Sequence, residues 1–489
     1  MHKLSIIILF LLNVLGMALY SCDDELEYVT GQNAEILFSE DTIDFDTVFT
    51  TIASPTMRFK VYNPSEKAVL LPKVELATLG ESGFRINVDG VHANTFADVE
   101  ILGKDSIYVF IEITARKNSS LLPEMVKDSI IFTLPNGRQS HVKLRAMGQD
   151  AEIMRGVTIS SDTIFSSGVP RIIYDSLVVS RDASLTLEAG TVLCFHKNAG
   201  LKVYGRLSSK GTLGENVVMR GDRTDKLLPY LPYDRLDSQW EGVTLMPESV
   251  GNQFEYTDIH GGRYGIDCQM SGIETYKLIM NNSVIHNVAG DGLSVKYSAV
   301  RISNTQITNA GGNCVTIIGG YADFTHCTIA QFYPWNSVHG SALFFTNILN
   351  DTIYPLEKAH FYNSVITGSA NDEIFGQKLE PGEGNPEADN VPFNCRFTNC
   401  LINTVIKDGD DYFVDCSVES SDSAVYGASN FRLIDNSNYT YDFRPDSLSR
   451  ARFIASPVYS SAYPSDRLGV ARPSVNPDAG CYQWTESIK

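Results

Sequence analysis

Six isoleucines constrain this chain more than any other feature. Ile259, Ile285, Ile307, Ile329, Ile366 and Ile402 stand 26, 22, 22, 37 and 36 residues apart. Five residues before each stands a large apolar side chain: Phe254, Met280, Ile302, Phe324, Phe361 and Phe397. Two residues before each stands a small one: Thr257, Ser283, Thr305, Cys327, Ser364 and Cys400. Asparagine recurs three residues before, at Asn282, Asn304, Asn363 and Asn399, with Tyr256 and His326 in the other two places. After the anchor and a turn comes a second short strand, in "GIDC", "GLSV", "CVTI" and "EIFG". Fixed offsets repeated near 22 residues describe like residues piled on one another, the pattern of a parallel β-helix. One coil cannot bury its inward face alone, so stacking makes the core. A leucine-rich repeat has a similar period but demands a dense Leu/Asn signature that is missing. The asparagines suit tight bends, because Asn tolerates left-handed backbone, and stacked amides can bond up the ladder. The two wide spacings hold loops, "QFYPWNSVHG" and "GQKLEPGEGNPEADN".

Upstream, "SLTLEAGTVLCF", "GLKVYGRLSSKGT", "VVMRGDR" and "WEGVTL" continue the coil-like strands. Earlier still, from Ile36, alternating segments such as "MRFKVYNPS", "FRINVDG" and "DSIYVFIEI" are bounded by turn residues. Several such strands in succession predict an antiparallel β-sandwich, without chemistry of its own. The expected fold is therefore all-β: a sandwich, a parallel β-helix and a C-terminal cap.

The chain opens MHKLSIIILFLLNVLGMALYSCDDELEY. A basic residue followed by a short apolar run is an export signal. "ALYSC" resembles a lipobox, with Tyr20 bulkier than usual, and implies lipid attachment at Cys22. The following "CDDE" resembles the acidic export tag of surface lipoproteins of Bacteroidetes-type bacteria, which implies an outward-facing, outer-membrane anchor. The sandwich resembles the immunoglobulin-like spacers of such lipoproteins. The coils resemble right-handed β-helix proteins, and the handedness comes from that resemblance. The end, with Ser456-Pro457, Asp466, Gly469, Arg472-Pro473 and Asp478 to Tyr482, is similar to their terminal segment, with Cys481 in place of a small residue. The implied organisation is signal peptide 1–21, tether 22–35, immunoglobulin-like sandwich 36–150, right-handed parallel β-helix 155–445 and cap 446–489, the cap covering the open end of the stack.

Chemistry is harder to find. Fifty-eight acidic residues against 39 basic ones give a net charge of −19 and exclude a nucleic-acid partner. Cysteines in the stacked columns read as small core residues, with a disulfide among Cys395, Cys400 and Cys416 as the alternative. No cysteine-histidine set has zinc spacing, so no metal is expected. His260 and His286 share an outward column beside Asp258; on coils about 4.8 Å apart they could meet on one exposed patch as acid, base or ligand, or be plain surface polarity. A lyase would need clustered carboxylates for calcium and a nearby base, but Asp291, Lys296 and Arg301 form no carboxylate ladder. Asp267 is followed in its column by Ser294, Thr316 and Phe375, and Asp372-Glu373 diverge, so no hydrolytic carboxylate pair is apparent. Phe332, Tyr333, Trp335 and His339 lie in one loop and are candidate sugar contacts, since aromatic faces suit pyranose rings; Trp240 is expected to pack. The sequence thus favours a non-catalytic surface lipoprotein binding polysaccharide or an outer-membrane protein. A polysaccharide lyase (with calcium) or glycoside hydrolase, and a structural accessory subunit, are the alternatives.

Overall fold

The computed structural model describes residues 27–30, 33–380, 388–406, 411–419 and 424–486. The expected export signal and Cys22 lie outside the described residues, as does part of the second long loop. Among the described residues no helix is long and apolar enough to cross a membrane. The chain divides into two compact units, Met1–Gln149 and Asp150–Lys489.

In the first unit, two five-stranded sheets face each other. Alternation puts Phe59, Val61, Val109 and Ile111 inward from one sheet and Leu71, Val74, Ile130 and Phe132 inward from the other. One pairing departs from the expected antiparallel pattern: Thr42–Phe49 runs parallel to Gln139–Gln149. Its register slips between Arg145 and Met147. Asp46, at φ 53°, takes up the extra residue as a bulge.

The second unit is a right-handed parallel β-helix. Three ladders run along it. A ten-stranded sheet forms one wall, and an 18-stranded sheet folds around the other two. The columns seen in the sequence are register columns. Ile259, Ile285, Ile307, Ile329, Ile366 and Ile402 pair in succession and are fully buried. On the ten-stranded wall Phe254, Met280, Ile302, Phe324, Phe361 and Phe397 do the same. Phe361 stacks on Phe324 at 4.8 Å and on Phe397 at 5.0 Å.

The bends work as expected, and at every repeat. Tyr256, Asn282, Asn304, His326, Asn363 and Asn399 all have φ between 42° and 53°. The small column explains why hydroxyls recur there. The Thr257 N–H donates to Ser283 Oγ at 3.0 Å, and the Cys327 N–H donates to Ser364 Oγ at 3.0 Å, so each coil satisfies the bend of its neighbour. The expected amide ladder is replaced at this corner by contacts to other partners; Asn304 Nδ2, for example, donates to the Ser465 carbonyl at 3.0 Å. All eight described cysteines are free, and Cys268, Cys314, Cys327, Cys395 and Cys400 sit in the core.

Two sequence expectations change. The column Thr316–Phe375 contains a missed coil, because Thr316 pairs with Phe344 and Phe344 with Phe375. The C-terminal segment is a strap on the flank of the stack, where it had been expected to lid the end. The last parallel strand is Ser417–Glu419, and Phe431–Asp435 with Thr440–Pro445 form an antiparallel hairpin. The strap then crosses three coils. Arg472 Nη2 donates to Asn304 Oδ1 at 2.9 Å, the Cys481 N–H to Thr328 Oγ1 at 3.1 Å, and the Gly480 N–H to the Asn363 carbonyl at 2.8 Å. Its apolar side covers Ala330, Phe332, Val365 and Leu401, which point outward from the coils. An outward apolar row needs a cover, and the strap provides it.

Candidate functional site

Two groups of polar side chains on the coils around Asp258 to Ser294 can carry chemistry. The first is the histidine column. Val284–Val288 lies on Thr257–His260 with His260 directly against His286, so the rings stack at 4.7 Å. Asp258 lies two residues before His260 and points the same way, as strand alternation requires. Its Oδ1 receives His260 Nδ1 at 2.7 Å and His286 Nε2 at 3.3 Å. Asp258, His260 and His286 therefore do meet. The patch is not open, however. The turn Tyr233–Arg235 folds over it, and Asp234 Oδ1 meets His260 Nε2 at 2.9 Å and Arg220 Nη1 at 2.8 Å. His260 is left only 6% exposed, which corrects the expectation of a solvent-facing pair.

Electrostatics follow from this sandwich. Burial pulls the His260 pKa down, but the flanking Asp258 and Asp234 outweigh it and hold it up to about 9. Burial would raise both carboxylates. The neighbouring imidazolium reverses that, leaving Asp258 well below the usual carboxylate range and Asp234 at about 2. A base that is already protonated and bonded at both nitrogens does not abstract protons, so His260 is no general base in this state. His286 is half-buried and faces a cleft of about 400 Å³ bounded by Asn287, Asn309, Tyr441 and Arg444.

The second group lies on the neighbouring ladder. A cleft of about 560 Å³ is lined by Trp240, Glu241, Arg263, Tyr264, Asp267 and Asp291. Asp267 stands on Ile266–Cys268, and Asp291 on the turn that leads into Leu293–Lys296 on the next coil. The Asn313 N–H fixes Asp291 Oδ1 at 2.9 Å. Glycine is required at position 312, since a Cβ there would stand 2.3 Å from that oxygen. Burial raises the pKa of both carboxyls, and the charge of Asp291 raises that of Asp267 further. Tyr264 Oη bonds Thr244 Oγ1 at 2.6 Å, and Arg263 reaches Glu241 at 3.4 Å. Trp240 is the floor, stacked on Phe195 at 4.3 Å with its indole N–H donated to the His260 carbonyl at 2.8 Å. It packs, as expected. Carboxyls accept hydrogen bonds and, when protonated, also donate them, which suits hydroxyl-rich ligands.

Column reading missed this pair, because Asp291 belongs to a turn and not to the column of Asp267. The glycines flanking Asp291 in "AGDGL" were the available signal: a carboxylate held on a tight turn beside a strand end.

The aromatic loop is placed differently from expectation. Phe332 is buried between Phe431 and Phe443, with centroids 6.0 and 6.2 Å away. Trp335 lies flat on Tyr439 at 4.2 Å. Tyr333 donates its hydroxyl to Asp237, and His339 Nδ1 contacts the Gly340 carbonyl at 2.8 Å. Phe332 is thus enclosed by the hairpin, and Trp335, half-buried, has one face covered by Tyr439. Asp372 and Glu373 do diverge. Glu373 turns inward and accepts from the Ala342 and Ala370 N–H groups at 2.9 and 2.8 Å.

Residues 154–330 match the family model of the right-handed β-helix region. No curated protein matches the sequence. Among solved structures, the chain is similar to pectate lyase Pel9A (12% identity, TM-score 0.31, 69% of this chain and 88% of that one). It is also similar to a mutant of the periplasmic alginate epimerase AlgG (9% identity, TM-score 0.20, 52% and 70%). A third is a family 123 glycoside hydrolase from Clostridium perfringens (8% identity, TM-score 0.17, 24% and 25%), of which the chain spans a quarter of the length.

Proposed function

We propose that this chain is a lipid-anchored, outward-facing outer-membrane protein whose β-helix binds a glycan in the cleft of Trp240, Tyr264, Asp267 and Asp291. The anchor is Cys22, and the sandwich is an immunoglobulin-like spacer that lifts the helix from the membrane. The observation that carries the binding reading is the carboxyl-lined cleft itself. Its two carboxyls, with the Arg263 guanidinium and the Tyr264 hydroxyl beside them, offer acceptors and donors to sugar hydroxyls. Glu241 and the overall charge of −19 disfavour polyanionic sugars. An uncharged polysaccharide is the ligand class.

Hydrolysis is the second reading, favoured by one observation: two acids of raised pKa share a cleft, the arrangement in which one protonates a leaving oxygen. A glycan array run with a product assay separates the two. Binding of neutral glycans, weakened tenfold or more by Asp291→Asn and without new reducing ends, supports the binder. Reducing ends that vanish in Asp267→Asn establish the hydrolase. Calcium-dependent release of unsaturated uronates would make the chain a lyase and overturn both. Co-purification with an outer-membrane protein, with no glycan bound by the pure chain, would make it an accessory subunit.

A further inference from the structure

The histidine column is separate from the glycan cleft and has a chemistry of its own. Asp258, His260 and His286 each present one ligand-type atom, and the three atoms lie within 4.8 Å of one another. We propose that these residues form a three-ligand site for a divalent ion of the zinc type, through Asp258 Oδ1, His260 Nδ1 and His286 Nε2, with the fourth position open to the adjoining cleft.

Three features of the geometry support it. The first is spacing. Zinc sits about 2.0–2.1 Å from imidazole nitrogen and carboxylate oxygen, so neighbouring ligand atoms in a tetrahedron stand about 3.3 Å apart. Asp258 Oδ1 to His286 Nε2 already measures 3.3 Å, and Asp258 Oδ1 to His260 Nδ1 opens from 2.7 Å. The second is orientation. A ligating histidine needs its other nitrogen held by an acceptor, commonly a carboxylate. His260 Nε2 meets Asp234 at 2.9 Å, and Asp234 is itself fixed by Arg220 at 2.8 Å. The outer support is thus in place without rearrangement. The third is access. Side-chain exposures of 25% and 26% for Asp258 and His286 leave an entry path through the cleft of Asn287, Tyr441 and Arg444.

One movement is required. The two rings lie nearly parallel, at 27°, whereas lone pairs aimed at one ion need planes that converge. His286, the more exposed ring, rotates out of the stack towards the cleft. The balance of the step is simple. The ion takes the place of the proton between His260 Nδ1 and Asp258, which passes to water, and His286 binds through the unprotonated Nε2. His260 keeps its Nε2 proton on Asp234. Carboxylate and imidazole suit zinc and its neighbours in the first transition row better than calcium, which takes oxygen ligands.

The test uses the full-length chain without a histidine tag, stripped with chelator and titrated calorimetrically with zinc, then with cobalt for its absorption spectrum. The expected result is one ion per chain and a tetrahedral cobalt spectrum. His286→Ala should weaken binding at least tenfold, and Asp234→Asn by about 10–100-fold. His286 is partly exposed, so its variant should melt with the wild type in the absence of metal; circular dichroism checks this. A titration with no saturable uptake at micromolar zinc would overturn the site and leave the cluster as an ion network pinning the 233–235 turn. Unchanged affinity in His286→Ala would overturn it equally, because the ion would then bind elsewhere.

Discussion

At the scale of single residues, burial decides what each polar group does. Glu373 shows this away from either candidate site. Fully enclosed, it is held up to about 7 by burial, against the opposing N–H groups of Ala370 and Ala342. An unfolded glutamate loses its proton near 4.5. The folded chain therefore binds an extra proton between these values. The resulting stability is fully present below about pH 4.5 and is lost as pH rises through 7, with up to about 3 kcal/mol at stake. Urea unfolding followed from pH 4.5 to 8 should show this decline, and Glu373→Gln, which keeps an acceptor and carries no titrating proton, should flatten it. A variant with the wild-type slope would remove Glu373 as the cause.

At the scale of strands and turns, repetition made the fold legible. The isoleucine and phenylalanine columns could be read because a β-helix repeats its neighbours in sequence at coil spacing, and each anchor pairs with the next one along the chain. Contacts made by excursions carry no such period. Asp234 covers His260 from 26 residues upstream, in a loop with no repeat to align it. Phe332 is sheltered by Phe431 and Phe443, about a hundred residues on, so its exposure was misjudged for the same reason. The column itself yields two expected outcomes. Phe361→Ala removes the middle ring of a three-ring stack and should cost about 3–5 kcal/mol in chemical unfolding. Tyr256 holds the left-handed position that asparagine fills in most other coils, at φ 42°. Tyr256→Asn should raise stability by about 1 kcal/mol; a loss of that size would show that its ring packing outweighs the backbone strain.

At the scale of the β-helix as a whole, stability is a sum over neighbouring coils and not a property of one shared centre. Damage should then stay where it is inflicted. The C-terminal strap tests this, because it touches only some coils. It is bound at Asn304, Thr328 and Asn363 and covers the outward apolar side chains Ala330, Val365 and Leu401. Its hydrogen bonds also satisfy His326, whose ring contacts Ser460 Oγ at 2.9 Å and the Gly480 carbonyl at 3.3 Å, and whose burial holds it neutral. Removing residues 451–486 would bare that apolar row and leave His326 free to charge. Amide exchange in the strands Gln306–Ala310, Thr328–Gln331 and Val365–Gly368 should then accelerate tenfold or more. The strands Arg171–Val179 and Val192–Phe195, nearer the start of the stack, should keep their protection. Mass-spectrometric hydrogen exchange on the shortened chain distinguishes the outcomes. Uniform loss of protection along the β-helix would mean that the coils unfold as one body, and that the strap closes a cooperative fold instead of shielding one flank of a stack.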